Sequence, residues 1–427
     1  MSKSNHNNSP QNVNPFSGID YETPPPDPRW PTPMRQEAYY GLAGEFVSLT
    51  LPHTEGDPVA LLTQFLISFG NIIGRSAYFQ VEETYHYSRD NVVIVGDSAK
   101  SRKGTSKDHV DKRFEIADPQ WFKECMVSGL GSGEALIYQV RDDPHITDKR
   151  RLVTETEFAS ILKVSNRKDN ILSMVIRNSW DDKSLRNITK GSNIQATNSH
   201  MSIIGHITQY ELSQNLKKGD MANGFGNRFL WICVRRSKLL PQGGQIRTVD
   251  FTDFDRRLLE AINYTKALAG GLEKGCEVSR DKEAADFWES HYPTLSQAKP
   301  GILGALTSRS EPHVVRLSLI YALLDKSPVI NLQHLKAALA VWDYAEDSVS
   351  YIFGKKIGNK GADKILEALR NAPRGLTRSG ISKLFQGNYD VIQIDTAINI
   401  LKSQGLILEE KSSTQGTGRP TTTYKVV

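Results

Sequence analysis

The stretch Asn91-Val-Val-Ile-Val-Gly96-Asp-Ser-Ala-Lys100-Ser-Arg102-Lys103-Gly104-Thr105-Ser106 limits what this chain can fold into more than any other. A short valine-rich run passes into small residues and then into Arg-Lys-Gly-Thr-Ser. That order reads as a buried strand, a turn of backbone N–H groups, and a helix opening on a lysine and a hydroxyl, the build of a phosphate-binding loop. The common pattern is G-x-x-x-x-G-K-[ST]. Here Lys103 lies one position further from Gly96 than that pattern places it, and Gly104 separates it from Thr105. A Gly/Ser/Lys-rich surface turn after a strand accounts for the same residues. In the phosphate-loop reading Lys103 neutralises the β- and γ-phosphates of ATP, Thr105 or Ser106 holds Mg²⁺, and Lys100 and Arg102 add positive charge.

At 427 residues the chain exceeds one ordinary core and predicts two or three domains. No apolar run approaches membrane-spanning length, so no membrane partner is expected. The N-terminus lacks the regions of a secretory signal. Cys125, Cys233 and Cys276 are scattered without metal spacing. They point to a reducing compartment, expected to be the cytoplasm, and away from a disulfide framework or a zinc site. A net charge of +5 permits a nucleic-acid partner without requiring one.

Residues 1–33 are rich in Asn, Ser and Pro and predict a disordered tail. Residues 34–250 read as an α/β ATPase core with N-terminal helices. Two helices are expected up to Gly74, split near Glu55-Gly-Asp-Pro58. Strands are expected at Ala77–Glu83, Val92–Val95, Arg151–Glu155, Met201–Thr208 and Phe229–Val234, and a helix capped by Ser132. Residues 251–357 read as entirely helical, where such enzymes keep a lid. Residues 362–427 read as three helices and a β-hairpin, the winged-helix order, with Thr377 as an N-cap. Residues 360–427 hold ten Lys/Arg and six Asp/Glu, a balance of +4. No internal repeat is found.

Acids after the Leu152-Val153 strand suit the second half of an ATP site. Glu155 or Glu157 at a strand end can hold Mg²⁺ or polarise the attacking water, and Glu134 is a third candidate. An edge strand with solvated glutamates, and helix-dipole compensation for Glu134, explain the same residues. Arg228, on a Gly-rich approach to a strand, can reach a neighbouring subunit's γ-phosphate, or be a surface arginine. His206 and Thr208 at a strand end can sense that phosphate, or be satisfied polars. Arg309, His313 and Arg316 share a helical face, from which Arg316 can contact a phosphate, or they form a solvated stripe. Trp342, Tyr344 and Tyr351 read as core. Arg378, Lys383, Lys411, Arg419 and Lys425 are the DNA-contact candidates of the C-terminal segment, giving salt-dependent, weakly sequence-specific binding. A protein-docking winged helix is the other use of that segment.

Several motifs occur in order: Ala43-Gly-Glu through Thr54-Glu-Gly-Asp-Pro58, Gly96 to Ser106, Ser132-Gly-Glu-Ala-Leu-Ile, Glu155-Thr-Glu-Phe-Ala, Trp180-Asp-Asp, Gly205-His-Ile-Thr, Gly224-Phe-Gly-Asn-Arg-Phe-Leu-Trp and Arg316-Leu-Ser-Leu-Ile-Tyr-Ala-Leu-Leu-Asp. Together they resemble the helicase-like ATPase domain of uncharacterised function found in phage and mobile-element replication proteins, over about residues 35–355. The resemblance implies a P-loop NTPase core (AAA+/RecA-like), Lys103 and Thr105 at the phosphates of ATP, and an acid of Glu155/Glu157 at Mg²⁺ or water. Core, helical lid and winged helix in that order also resemble the minichromosome-maintenance helicases, by architecture alone. The expected function is an ATP-dependent DNA helicase or translocase for replication of a phage or mobile element. It is expected to act as a homo-oligomeric ring (a hexamer) on single-stranded or forked DNA, with primase activity on a separate chain. The alternatives are an ATP-binding replication initiator that does not unwind, and a non-enzymatic DNA-binding module with a degenerate ATPase fold.

Overall fold

The structure, a computed structural model, describes residues 30–97, 99–189, 192–217, 223–354, 359–403, 405–412 and 421–427. The N-terminal part runs α1 (Gly41–Thr50), α2 (Pro58–Ile72), β1 (Ala77–Val81), β2 (Thr84–Tyr87) and β3 (Asn91–Val95). It continues α3 (Lys103–Ala117), α4 (Pro119–Cys125), β4 (Met126–Val127), α5 (Gly133–Gln139), β5 (Arg150–Glu155), α6 (Ala159–Ser165) and α7 (Leu172–Trp180). A hairpin of β6 (Leu185–Thr189) and β7 (Ser192–Ala196) leads to β8 (His200–Ile207), α8 (Gln209–Asn215) and β9 (Leu230–Cys233). Next come α9 (Thr252–Leu268), β10 (Cys276–Glu277), β11 (Ser279–Arg280), α10 (Lys282–Leu295), α11 (Gly301–Thr307), α12 (Ser310–Leu324), β12 (Val329–Ile330) and α13 (Leu332–Phe353).

β4, β5, β8, β3 and β9, in that order, form one parallel sheet. β3 is buried at every position, because both faces of a parallel sheet are covered by crossover helices. Val92 and Ile94 join one core cluster with α2, α9, α12 and α13, while Val93 and Val95 join the other with α5, α6 and α7. The period of two along the strand thus divides one apolar run between two layers. α3 places Val110 and Phe114 in the first cluster, and α8 places Leu212 in the second. The helices that follow the neighbouring strands β3 and β8 therefore leave on opposite faces. That switch in direction opens a crevice at the carboxyl ends of the strands, where open α/β sheets bind ligands.

The region expected as a lid shares the first core cluster with the sheet: Leu258, Leu319 and Val341 belong to it. It is not entirely helical, since β10 extends β1 in parallel and β11 pairs with β12. Two-residue strands are too short to show a period in the sequence. Within the expected tail, Trp30 packs edge-on against Tyr351 at 5.0 Å, and the Thr32 N–H donates to Asp347.

The C-terminal unit contains α14 (Lys360–Arg370), β13 (Leu376–Thr377), α15 (Arg378–Leu384), α16 (Val391–Ser403), β14 (Ile407–Ser412) and β15 (Thr421–Val426). Its sheet has the order β13-β15-β14 and its own apolar core around Ile365, Ile381, Ile398 and Leu401. Thr377 caps α15 through the Gly380 N–H. No helix among the described residues is long and apolar enough to cross a membrane.

Candidate functional site

The segment joining β3 to α3 lies at the carboxyl edge of the sheet. Gly96 stands where β3 and β9 converge. A Cβ there would lie 2.6 Å from the Val234 carbonyl oxygen and 2.9 Å from the Ser101 side chain, so only glycine fits. The additional residue of this loop is absorbed in a short 3₁₀ turn at Ala99–Ser101. Arg102 then takes a left-handed conformation with φ of 52°, at the position where the common pattern has its second glycine. A non-glycine residue there is strained. Its side chain is anchored in compensation: Arg102 Nε donates to Glu55 Oε2 at 2.6 Å. Glu55 Oε1 accepts the Leu240 N–H at 2.8 Å. Burial pushes the Glu55 carboxyl up, but that bond, together with Arg102 and Arg236, outweighs it and holds the group below the usual range.

α3 opens on Lys103 with no side-chain cap. The N–H groups of its first turn, at Lys103, Gly104 and Thr105, thus point toward the crevice with the positive end of the helix behind them. Lys103 Nζ donates to the carbonyl oxygens of Gly96 and Asp97, both at 2.8 Å, and to Ser101 Oγ at 3.0 Å. Burial lowers its pKa. Thr105 is exposed on the first turn, whereas Ser106 is buried and bonds back to the Arg102 carbonyl at 3.2 Å. Of the two hydroxyls expected at Mg²⁺, Thr105 is therefore the accessible one. Lys100 is exposed, and its carbonyl accepts Arg236.

Beside the loop lies a cavity of about 380 Å³ lined by Trp30, Gly96, Asp97, Lys100, Arg235 and Tyr351 among others. The Arg235 guanidinium sits 5.1 Å from the Trp30 ring centre. Asp57 caps α2 and accepts the Arg235 N–H at 2.9 Å, which ties this wall to the N-terminal helices. Burial raises the Asp57 carboxyl to about 6 against the pull of those N–H bonds. Glu55, Arg235, Trp30 and Tyr351 were not read as site residues. Tyr351 carried only a core signal, and Trp30 lies in a stretch whose composition signals disorder.

The acids separate. Glu155 is 7% exposed and its Oε1 accepts the N–H groups of Gly129 and Leu130 at 2.5 and 2.9 Å. It braces the turn after β4. Glu157, past the end of β5, is exposed. Glu134 opens α5, whose Ser132 cap is present as expected, and lies 3.4 Å from the Asn187 amide. Thr208 caps α8 in a reciprocal capping box with Glu211. His206 is buried against Gln64 at 2.8 Å, and burial with the Lys103 and Lys107 charges pushes it down to about 3. Among the described residues no cluster of three or more His, Cys, Asp or Glu side chains forms a metal site. A nucleotide-bound Mg²⁺ takes most of its ligands from phosphate and water.

Arg228 and Arg316 do not join the loop. Arg228 precedes β9 and is 6% exposed, paired with Asp181 at 2.6 Å and bonded to the Gly224 carbonyl. Arg316 is 2% exposed and donates to the carbonyls of Trp180 and Arg89, with its guanidinium 3.6 Å from the Trp180 ring centre. Both lie at the amino edge of the sheet. Arg89 and Gly96 bracket β3, so the two edges are roughly 23 Å apart at 3.3 Å per residue. The stripe of Arg309, His313 and Arg316 is not solvated as a whole, since His313 is fully buried against Asp90 at 2.7 Å.

In the C-terminal unit Arg378 pairs with Asp395 at 2.8 Å and Lys425 with Glu410 at 2.6 Å, while Lys383 is exposed. Arg419 lies outside the described residues, and Lys411 is described in its backbone alone, on β14. The exposed face of α16 carries Val391, Ile392, Asp395, Thr396, Asn399 and one cation, Lys402, which pairs with Glu409. No family model matches the chain, and no curated protein matches it.

Proposed function

We propose that the chain is an ATP-driven nucleic-acid motor, a DNA helicase or translocase. One observation carries the reading. An uncapped helix opens on Lys103 at the end of the loop after β3, an interior strand of a parallel sheet, at the switch between β3 and β8 and beside a 380 Å³ cavity. In this reading the core is a P-loop NTPase of the AAA+/RecA-like kind. First-turn amides and Lys103 hold the phosphates, and the aromatic wall takes the base. Thr105 and Glu157, both exposed at this edge, would hold Mg²⁺, which supplies charge neutralisation when bound. Glu157 orients the attacking water. The resemblance to phage and mobile-element replication ATPases supports the same function. The C-terminal order of helices and hairpin supports a winged helix.

A second reading is a nucleotide-binding initiator without unwinding. One observation favours it: the three ammonium protons of Lys103 have three acceptors within the loop itself. The deciding experiment is ATP hydrolysis with and without single-stranded DNA. DNA-stimulated turnover supports the motor, ATP binding without turnover supports the initiator, and no nucleotide binding overturns both.

A further inference from the structure

At the amino edge of the sheet, away from the loop, cations outnumber the acids that pair with them. Arg75 and Arg89 share Asp182, and Arg228 holds Asp181. Among the described residues Arg316 donates to carbonyl oxygens only. Arg309 has a single 3.7 Å approach to the Asp181 already taken by Arg228. Arg280 has no carboxylate among the described residues. Its neighbour Asp281 caps α10 through the Ala284 N–H at 2.8 Å. Among the described residues the ion pairs of these six arginines (75, 89, 228, 280, 309, 316) thus go to two aspartates, Asp181 and Asp182.

Arg280 is the half-buried end of this group. Its guanidinium is held between two rings, 4.4 Å from the centre of Phe79 and 4.2 Å from that of Trp288. Its Nε and Nη2 are buried and have no acceptor among the described residues. In the β1–β2 ladder Phe79 stands opposite His86, which is 8% exposed and has an unpartnered, buried Nδ1. Burial, with the charges of Arg316, Arg89, Arg309 and Arg280, pushes His86 down to about 3. Buried donors without acceptors are costly, and a cationic group of them calls for an anion. One turn beyond Trp288 on α10, Tyr292 meets it edge-on at 5.6 Å and is 46% exposed. Arginine beside a half-buried ring and an exposed one is a surface that can take single strands: cations on the phosphates, rings under the bases.

We propose that this face is a contact for single-stranded nucleic acid, a backbone phosphate at Arg280 and Arg309 and bases stacked on Trp288 and Tyr292. It is separate from the nucleotide loop and from the C-terminal unit, where the exposed Lys402 of α16 is already paired with Glu409.

The test is photocrosslinking of an iodouracil-substituted single strand to the full chain, with the adducts mapped by peptide mass spectrometry. Adducts on Trp288 or Tyr292 are expected. Adducts confined to residues 360–427, or none, overturn the proposal. Arg280→Met keeps the packing between the rings and should lower the slope of log affinity against log salt by about 0.7. Tyr292→Ala, at an exposed position that folding tolerates, should weaken binding roughly fivefold or more through one lost stack. Unchanged affinity and slope in both variants overturn the proposal. So does inorganic phosphate competing far better than chloride of equal ionic strength, which marks a free-phosphate pocket. ATP binding should be unchanged in both variants. Crosslinking at α10 in a chain that binds no ATP would sink the nucleotide reading and leave this one standing.

Discussion

Lys103 Nζ lies 2.8 Å from the carbonyl oxygen of Gly96, the residue that begins its own loop. The loop is closed by the side chain expected to bind phosphate. An incoming triphosphate must therefore replace at least one of three acceptors the ammonium already has. Lys103→Ala removes a charge-assisted contact worth roughly 1.5–3 kcal/mol. ATP affinity, followed with a fluorescent analogue, should fall about tenfold or more, and turnover should stop. Parent-like hydrolysis by this variant would separate the loop from the chemistry.

Glu155 and Glu157 should part company. Glu155→Gln replaces a carboxylate accepting two backbone N–H groups by a neutral amide oxygen, at a cost of roughly 1–2 kcal/mol. Its urea midpoint should drop while ATP still binds. Glu157→Gln, at an exposed position, should unfold like the parent yet lose hydrolysis with ATP binding retained. If Glu157→Gln turns over normally, Glu134 is the next acid to test.

Five strands, β1, β3, β5, β8 and β9, and the loop after β3 were legible because their signals are local: a valine run, a glycine turn, a lysine at the helix start. The alternation of Val92, Val93, Ile94 and Val95 between two clusters needs only a covered parallel sheet. The partner of the strained Arg102 was not legible. Glu55 comes from a turn 47 residues earlier, and nothing local marks it. Arg316 misled in the opposite way. Helical spacing put Arg309, His313 and Arg316 on one face, but whether that face meets water or the core depends on Trp180 and Arg89, elements far away in sequence. The cavity wall of Trp30 and Tyr351 joins the two ends of the core, a pairing that periodicity does not record.

Arg228 tests whether a motif arginine acts between subunits or inside one. It is 6% exposed and paired with Asp181. Removing one partner of a buried ion pair costs about 3–5 kcal/mol, because the other charge stays unpaired. Arg228→Ala should therefore lower the urea midpoint sharply, and Asp181→Asn in the same chain should recover part of the loss. Mixing Arg228→Ala chains with Lys103→Ala chains should not restore hydrolysis. Restored activity in the mixture would return Arg228 to a neighbour's γ-phosphate.

Acid should destabilise the core through its buried histidines. His206 and His86 are each pushed down to about 3, first by burial and then by nearby cations. Below pH 6.5 the unfolded chain binds protons at these rings that the folded chain does not. Stability is therefore fully present above pH 6.5 and is lost progressively as the pH falls toward 3. From pH 7 to pH 5 each ring accounts for about 2 kcal/mol, at 1.36 kcal/mol per pH unit below 6.5. Asp57 works the other way. Raised to about 6, it binds a proton in the folded chain first and returns about 1 kcal/mol over the same interval. Among these three groups the balance is destabilising on acidification, and a substitution isolates one of them. His206→Gln supplies an amide that pairs with Gln64 and does not titrate. Urea unfolding at pH 7 and pH 5 should show the variant losing about 2 kcal/mol less than the parent between the two. Equal losses in both would mean that His206 is protonated in the folded chain, against its burial beside Lys103 and Lys107.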